Sequence, residues 1–104
     1  MPGIVILSTA PDVKTAQSIA KSLVKKKLAA CVSVREGWLS FYQWKGKVEK
    51  AKETLLLIKT AKQNFCKVEK TIKAAHPYEV PEIISVPITR GSAEYLSWLN
   101  GSVK

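Results

Sequence analysis

The sequence predicts one α+β domain, residues 1–104, with a ferredoxin-like split β-α-β-β-α-β order and a short C-terminal helix. Three observations lead there. Short apolar runs, fit for strands, flank two lysine-striped segments whose apolar residues recur at helical spacing. The two central runs are separated only by Lys45-Gly46-Lys47, a turn that folds them into a hairpin. A chain of 104 residues suits one compact domain and leaves no room for a second.

Ile4-Val5-Ile6-Leu7 is a continuous apolar run, the pattern of a strand covered on both faces. Asp12 follows as a helix cap, and Val13, Ala16, Ala20, Leu23 and Val24 form one stripe of a helix running to about Lys27. Leu28 to Val34 reads as the second strand. Gly37 then interrupts it before the alternating stretch Trp38 to Trp44, so a long bent or bulged strand is expected. Its period of two sets Trp38, Ser40, Tyr42 and Trp44 on one face and Leu39 and Phe41 on the other. Val48 to Thr60 completes the hairpin.

Phe65, Val68, Ile72 and Ala75 make the stripe of the second helix, and Pro77 ends it by disfavouring helical geometry at His76. Glu82 to Ile88 is the fourth strand, with Pro87 suited to an edge or a strand end. Gly91-Ser92 starts the last helix, which carries Tyr95, Leu96, Trp98 and Leu99. Asn100-Gly101 is expected to stop it with a left-handed residue.

Composition narrows the function. The chain is 46% hydrophobic with five Gly and five Pro, which gives it a core and no low-complexity segment. The net charge of +9 comes almost wholly from lysine, much of it at solvent-facing helix positions such as Lys14, Lys21, Lys25, Lys67, Lys70 and Lys73. That reads as a solvated basic surface. Only Arg35 and Arg90 are arginines and no recognition-helix, zinc-finger or aromatic RNA-binding pattern is present, so no specific nucleic-acid partner is expected. No apolar run approaches the roughly 20 residues of a membrane span, and no secretory leader is visible, so a cytoplasmic setting is expected. Cys31 and Cys66 then read as free, buried, structural thiols.

In a split β-α-β-β-α-β fold both main helices cover one sheet face. These strands are apolar on both sides, so the open face needs a cover, and self-association is expected to supply it.

Several segments carry a resemblance: Lys27-Leu28-Ala29-Ala30-Cys31-Val32, Tyr42 to Glu49, Ile58-Lys59-Thr60, His76-Pro77-Tyr78-Glu79-Val80-Pro81-Glu82-Ile83-Ile84, then Gly91 and Tyr95-Leu96-Ser97-Trp98. Together they resemble the CutA divalent-cation-tolerance family over nearly the whole chain. The resemblance implies a homotrimer with the architecture of the PII signalling proteins and a role in tolerance or response to divalent metal, copper in some members. The ligand set of copper-binding relatives, a first-strand cysteine and two adjacent histidines before the proline, meets Ser8 and Ala75 here and keeps only His76.

Two site expectations follow. His76, the one histidine, with Glu79 and Glu82 is the candidate set for weakly bound copper or another divalent metal. Tyr42, Trp44, Tyr78 and Trp98, with Glu49, Lys59 and Glu79, are candidates to line an intersubunit cleft that binds a small molecule or a partner protein, as in a PII-like signalling module. Enzymatic activity is not expected. The loop Ser8-Thr9-Ala10-Pro11-Asp12 lacks the glycines and arginine of a phosphate cradle, and neither a nucleotide-binding glycine motif nor a nucleophile elbow is present.

Overall fold

The computed structural model describes residues 2–104. The elements run β1 (Gly3–Ala10), α1 (Val13–Lys25), β2 (Cys31–Trp44), β3 (Lys47–Ala61), a 3-10 turn (Lys62–Asn64), α2 (Phe65–Ala75), β4 (Ile83–Pro87) and α3 (Ala93–Ser102). The sheet is ordered β2-β3-β1-β4 and each neighbouring pair is antiparallel. This is the predicted ferredoxin-like arrangement. Pro87 is the last residue of edge strand β4, where its missing N–H costs nothing.

Capping fixes the start of α1, because the Asp12 carboxylate accepts the Thr15 N–H at 2.7 Å. The helix stops at Lys25, earlier than expected. Lys27 takes φ 59°, and the Leu28 N–H then donates to the Leu23 carbonyl at 2.9 Å, the bond of a left-handed C-terminal motif closed by lysine instead of glycine. That turn delays β2 to Cys31. At α3 the expected stop at Asn100-Gly101 does not occur, and the helix continues to Ser102. The chain beyond it is extended and docked, with the Lys104 N–H on the Lys27 carbonyl at 3.0 Å, so a left-handed residue at Gly101 is not used.

Ile4 and Ile6 of β1, Leu56 and Ile58 of β3, Ala16, Ile19 and Leu23 of α1, and Val68 and Ile72 of α2 form one buried cluster. Burying each large side chain contributes about 1.5–3 kcal/mol before entropy is counted. The alternate residues of the same strands point to the side without helices. There the pairings Val5↔Val86, Leu7↔Ile84 and Leu7↔Leu57 build an apolar face on which Ile84 and Val86 remain 52% and 48% exposed. The uncovered face expected from the sequence is present. The thiols depart from expectation: both are free, but Cys31 is only half-buried and Cys66 is exposed, because its position on α2 turns away from the stripe of Val68 and Ile72.

β1 accompanies β3 only from Thr54 to Ala61. Beyond that, Trp38–Trp44 and Lys47–Glu53 continue as a two-stranded ribbon, which helps stretch the molecule to 44 × 25 × 22 Å. Lys45 and Gly46 at its tip have φ 52° and 81°, the two left-handed residues of a type I′ hairpin turn.

Candidate functional site

The site begins with a change of phase in β2. Cys31, Ser33 and Arg35 pair with Lys59, Leu57 and Leu55, so odd-numbered residues of β2 share the open face with odd-numbered residues of β3. The register then shifts between Arg35 and Trp38, at a bulge where Gly37 takes φ 81°. Past it Trp38, Ser40, Tyr42 and Trp44 pair with Glu53, Ala51, Glu49 and Lys47. Even-numbered residues of the ribbon now face the side that odd-numbered ones faced in the sheet. The extra residue brings Ser40, Tyr42 and Trp44 to the same side as Glu53 and the Thr9 end of β1.

The second wall comes from the chain after α2. Pro77 takes His76 out of the helix, at φ −96° and ψ 133°. Its Nε2 lies 2.6 Å from the Thr9 carbonyl, and its Nδ1 lies 3.2 Å from the Tyr78 backbone nitrogen. A carbonyl only accepts and a backbone N–H only donates, so Nε2 carries the proton and Nδ1 the acceptor lone pair. Both ring nitrogens are therefore engaged within the chain. His76 acts as a bracket between β1 and the following loop, and its ring packs 4.7 Å from that of Tyr78.

Held this way, Tyr78 reaches across to β3 and donates its hydroxyl to Glu53 Oε2 at 2.9 Å. Burial, and then the hydrogen bond and negative charge of Glu53, push the Tyr78 phenol up to about 12. Glu53 itself is only 6% exposed, an unusual place for a carboxylate that has no basic partner among the described residues.

These walls enclose an open cavity of about 630 Å³. Five of the sequence candidates line it: Tyr42, Trp44, Tyr78, Glu79 and Glu82. Four do not. Glu49 is exposed on the ribbon beside Tyr42, and Trp98 lies on α3 with its ring 5.5 Å from Tyr95. Lys59 sits on the open sheet face, where its ammonium donates to Ser33 Oγ at 2.5 Å and lies 3.8 Å from Cys31 Sγ. His76 braces the cavity without lining it. Sequence reasoning missed Thr9, Ser40, Phe41, Val80 and above all Glu53. The signal for Glu53 was its place as the acidic residue opening the run Thr54-Leu55-Leu56-Leu57-Ile58. The set His76, Glu79 and Glu82 does not converge: among the described residues no three His, Cys, Asp or Glu side chains are grouped closely enough to hold a metal ion.

Comparison with known proteins agrees with this architecture. Residues 4–102 match the family of the CutA1 divalent ion tolerance protein. The chain belongs to that family. It is 48% identical over 95 residues to the divalent-cation tolerance protein CutA of Thermus thermophilus, covering 91% of this chain and 92% of that protein. Among solved structures, CutA1 of Oryza sativa superposes with a TM-score of 0.97 at 40% identity, covering all of this chain and 95% of its own. The periplasmic divalent cation tolerance protein CutA of Archaeoglobus fulgidus gives 0.95 at 41% identity, covering 98% and 99%. These names describe tolerance to an ion and none describes a reaction. Tolerance to divalent cations is thus the family's stated theme, without a particular metal.

Proposed function

We propose that the chain is a non-catalytic, homotrimeric binding protein that serves divalent-cation tolerance by taking small cations into the cavity between the ribbon and the loop after α2. The observation that carries this reading is charge placement. Three of the chain's eight acidic residues, Glu53, Glu79 and Glu82, line one cavity, and none of its seventeen lysines and arginines does. On a chain of net charge +9 that is a local inversion of sign, which raises the local concentration of cations. Exposed Glu79 and Glu82 supply hard oxygen ligands at the mouth, which bind divalent metals weakly when so few converge. Copper leads the divalent ions by the general order of affinities and not by a tailored site. His76 supports the cavity as a bracket, since its lone pair is already used by Tyr78.

The homotrimer is favoured by the apolar sheet face and by the ribbon, whose Trp38, Phe41, Tyr42 and Trp44 are left 41–65% exposed. Two free thiols suit a reducing, cytoplasmic setting. Equilibrium dialysis of untagged protein against Cu(II) and Zn(II) tests the metal reading. Uptake should fall sharply in the Glu79→Gln/Glu82→Gln double variant and persist in His76→Gln; equal uptake by the double variant removes the cavity from the metal's path.

A further inference from the structure

We infer that the floor of this cavity is built for an organic cation with an N–H head, an alkylammonium or a guanidinium, seated on the Glu53 carboxylate. The inference rests on the reading of the cavity as the ligand site, and it names the occupant of its buried part. Glu53 is more than nine-tenths buried, at 6% exposure, yet no lysine or arginine pairs with it among the described residues, where the ion pair formed is Lys73 with Glu69. Among the described residues its hydrogen-bond donor is the Tyr78 hydroxyl, on Oε2, and Oε1 has no donor there but is not fully enclosed. Glu53 also lines the cavity, so that free oxygen has the cavity as its outlet. A largely buried carboxylate with no counter-charge beside it gains a charge-assisted bond when a cation enters by the cavity.

The surroundings select the kind of cation. A divalent metal needs several converging oxygen ligands, and no group of three potential ligands exists among the described residues. Tyr78 is bonded to Glu53, and Tyr42 and Trp44 of the ribbon line the same cavity. Ring faces attract ammonium and guanidinium groups and shelter the alkyl chains attached to them, which a hydrated metal ion does not exploit. The N–H donor supplies what Oε1 lacks, and a charge-assisted hydrogen bond there is stronger than a neutral one. Ser40 and the Thr9 end of β1 offer further polar contact at the same wall. Glu79 and Glu82 at the mouth draw the cation in and do not discriminate its chemistry.

The test titrates untagged protein, with chelator present, against n-butylammonium and agmatine. Tetramethylammonium serves as the cation without N–H, n-butanol as the uncharged isostere, and the indole fluorescence of the ribbon as the readout. The expected order is agmatine and butylammonium ahead of tetramethylammonium, with no saturable response to butanol. Glu53→Gln should weaken the two N–H cations by about tenfold or more, the scale of losing a charge-assisted bond at a buried group. Its assembly mass and melting temperature, measured alongside, establish that it folds. Tyr78→Phe, which frees the second oxygen, should retain the binding. Butanol binding as well as butylammonium, or Glu53→Gln binding the amines unchanged, overturns the inference. So does a wild-type response only to a divalent metal added without chelator, an outcome that leaves the proposed function standing. No response to any cation removes both. The ligand series on wild-type protein needs no variant, so misfolding of Glu53→Gln does not leave the question open.

Discussion

β3 is one strand with two environments, and the contrast between its halves shows where this chain finishes its own fold and where it does not. From Thr54 to Ala61 it lies between β1 and β2 under α1 and α2, and Leu56 and Ile58 are fully buried. From Lys47 to Glu53 it has β2 alone, and the ribbon exposes Trp38, Leu39, Phe41, Tyr42, Trp44 and Val48. A two-stranded ribbon is marginal by itself in water. The inner half is a solved packing problem, whereas the outer half leaves much of its aromatic surface exposed. Glu53 lies at the joint between them.

The largest effect should come from the inner half. Leu56→Ala should cost about 2–5 kcal/mol in chemical denaturation, because the site is fully enclosed and a cavity would remain. A loss below that range would show the inner core to be more plastic than the contrast implies.

The outer half should respond differently. A fully buried tryptophan is worth about 3–5 kcal/mol when cut to alanine. Trp44 is 41% exposed in the single chain, so Trp44→Ala should cost roughly 2 kcal/mol at low protein concentration and more where association covers the ribbon. Sedimentation equilibrium should give a trimer for the parent and a lower mean mass for the variant. A loss independent of concentration would make the ribbon self-sufficient and end the contrast.

Tyr78→Phe probes the joint and should cost about 1 kcal/mol, the net worth of one hydrogen bond. Its pH signature is sharper. The folded phenol lies at about 12 against an ordinary 10.0, so the stability it contributes is present below 10.0 and is lost as pH rises through about 12. Ultraviolet titration should show one phenolate forming near pH 12, and Tyr78→Phe should delete that step.

Least affected should be Asp12→Ala, which removes the cap of α1 and should lower the melting temperature slightly, with Asp12→Asn restoring it. The Thr15 backbone bond holds Asp12 below its ordinary 3.8, so its contribution is present above that value and fades as pH falls below it. Equal acid sensitivity in parent and Asp12→Ala would remove the cap from the account.

The fold was legible because its signals are local. The Leu56 and Ile58 run, the Lys45-Gly46 turn, the stop before Pro77 and the cap at Asp12 each act within a few residues. The helix ends were less legible: Lys27 adopts a left-handed conformation without being glycine, and Gly101 stays helical because docking of Lys104 governs that end. The site was legible in its aromatic residues, whose alternation from Trp38 to Trp44 needs only the period of a strand. Glu53 was not, because its importance depends on Tyr78, twenty-five residues away in the chain, and on burial that only the assembled sheet creates. Likewise His76 reads as a ligand in isolation, until the Thr9 carbonyl and the Tyr78 N–H claim its nitrogens.

The bulge at Gly37 makes the chain unequally forgiving of changes in length. An insertion of two residues at the Lys45-Gly46 tip lengthens the ribbon and leaves every side chain on its own face. Deleting one residue at the bulge restores an unbroken alternation, and Leu39, Phe41 and Gln43 then face Glu53 while Trp38, Ser40, Tyr42 and Trp44 turn to the opposite side. The strands, the turn and the core would survive such a deletion, and the cavity would be rebuilt with the wrong half of the ribbon. The tip therefore tolerates a change of length, while the spacing from Arg35 to Trp38 decides which half of the ribbon lines the cavity.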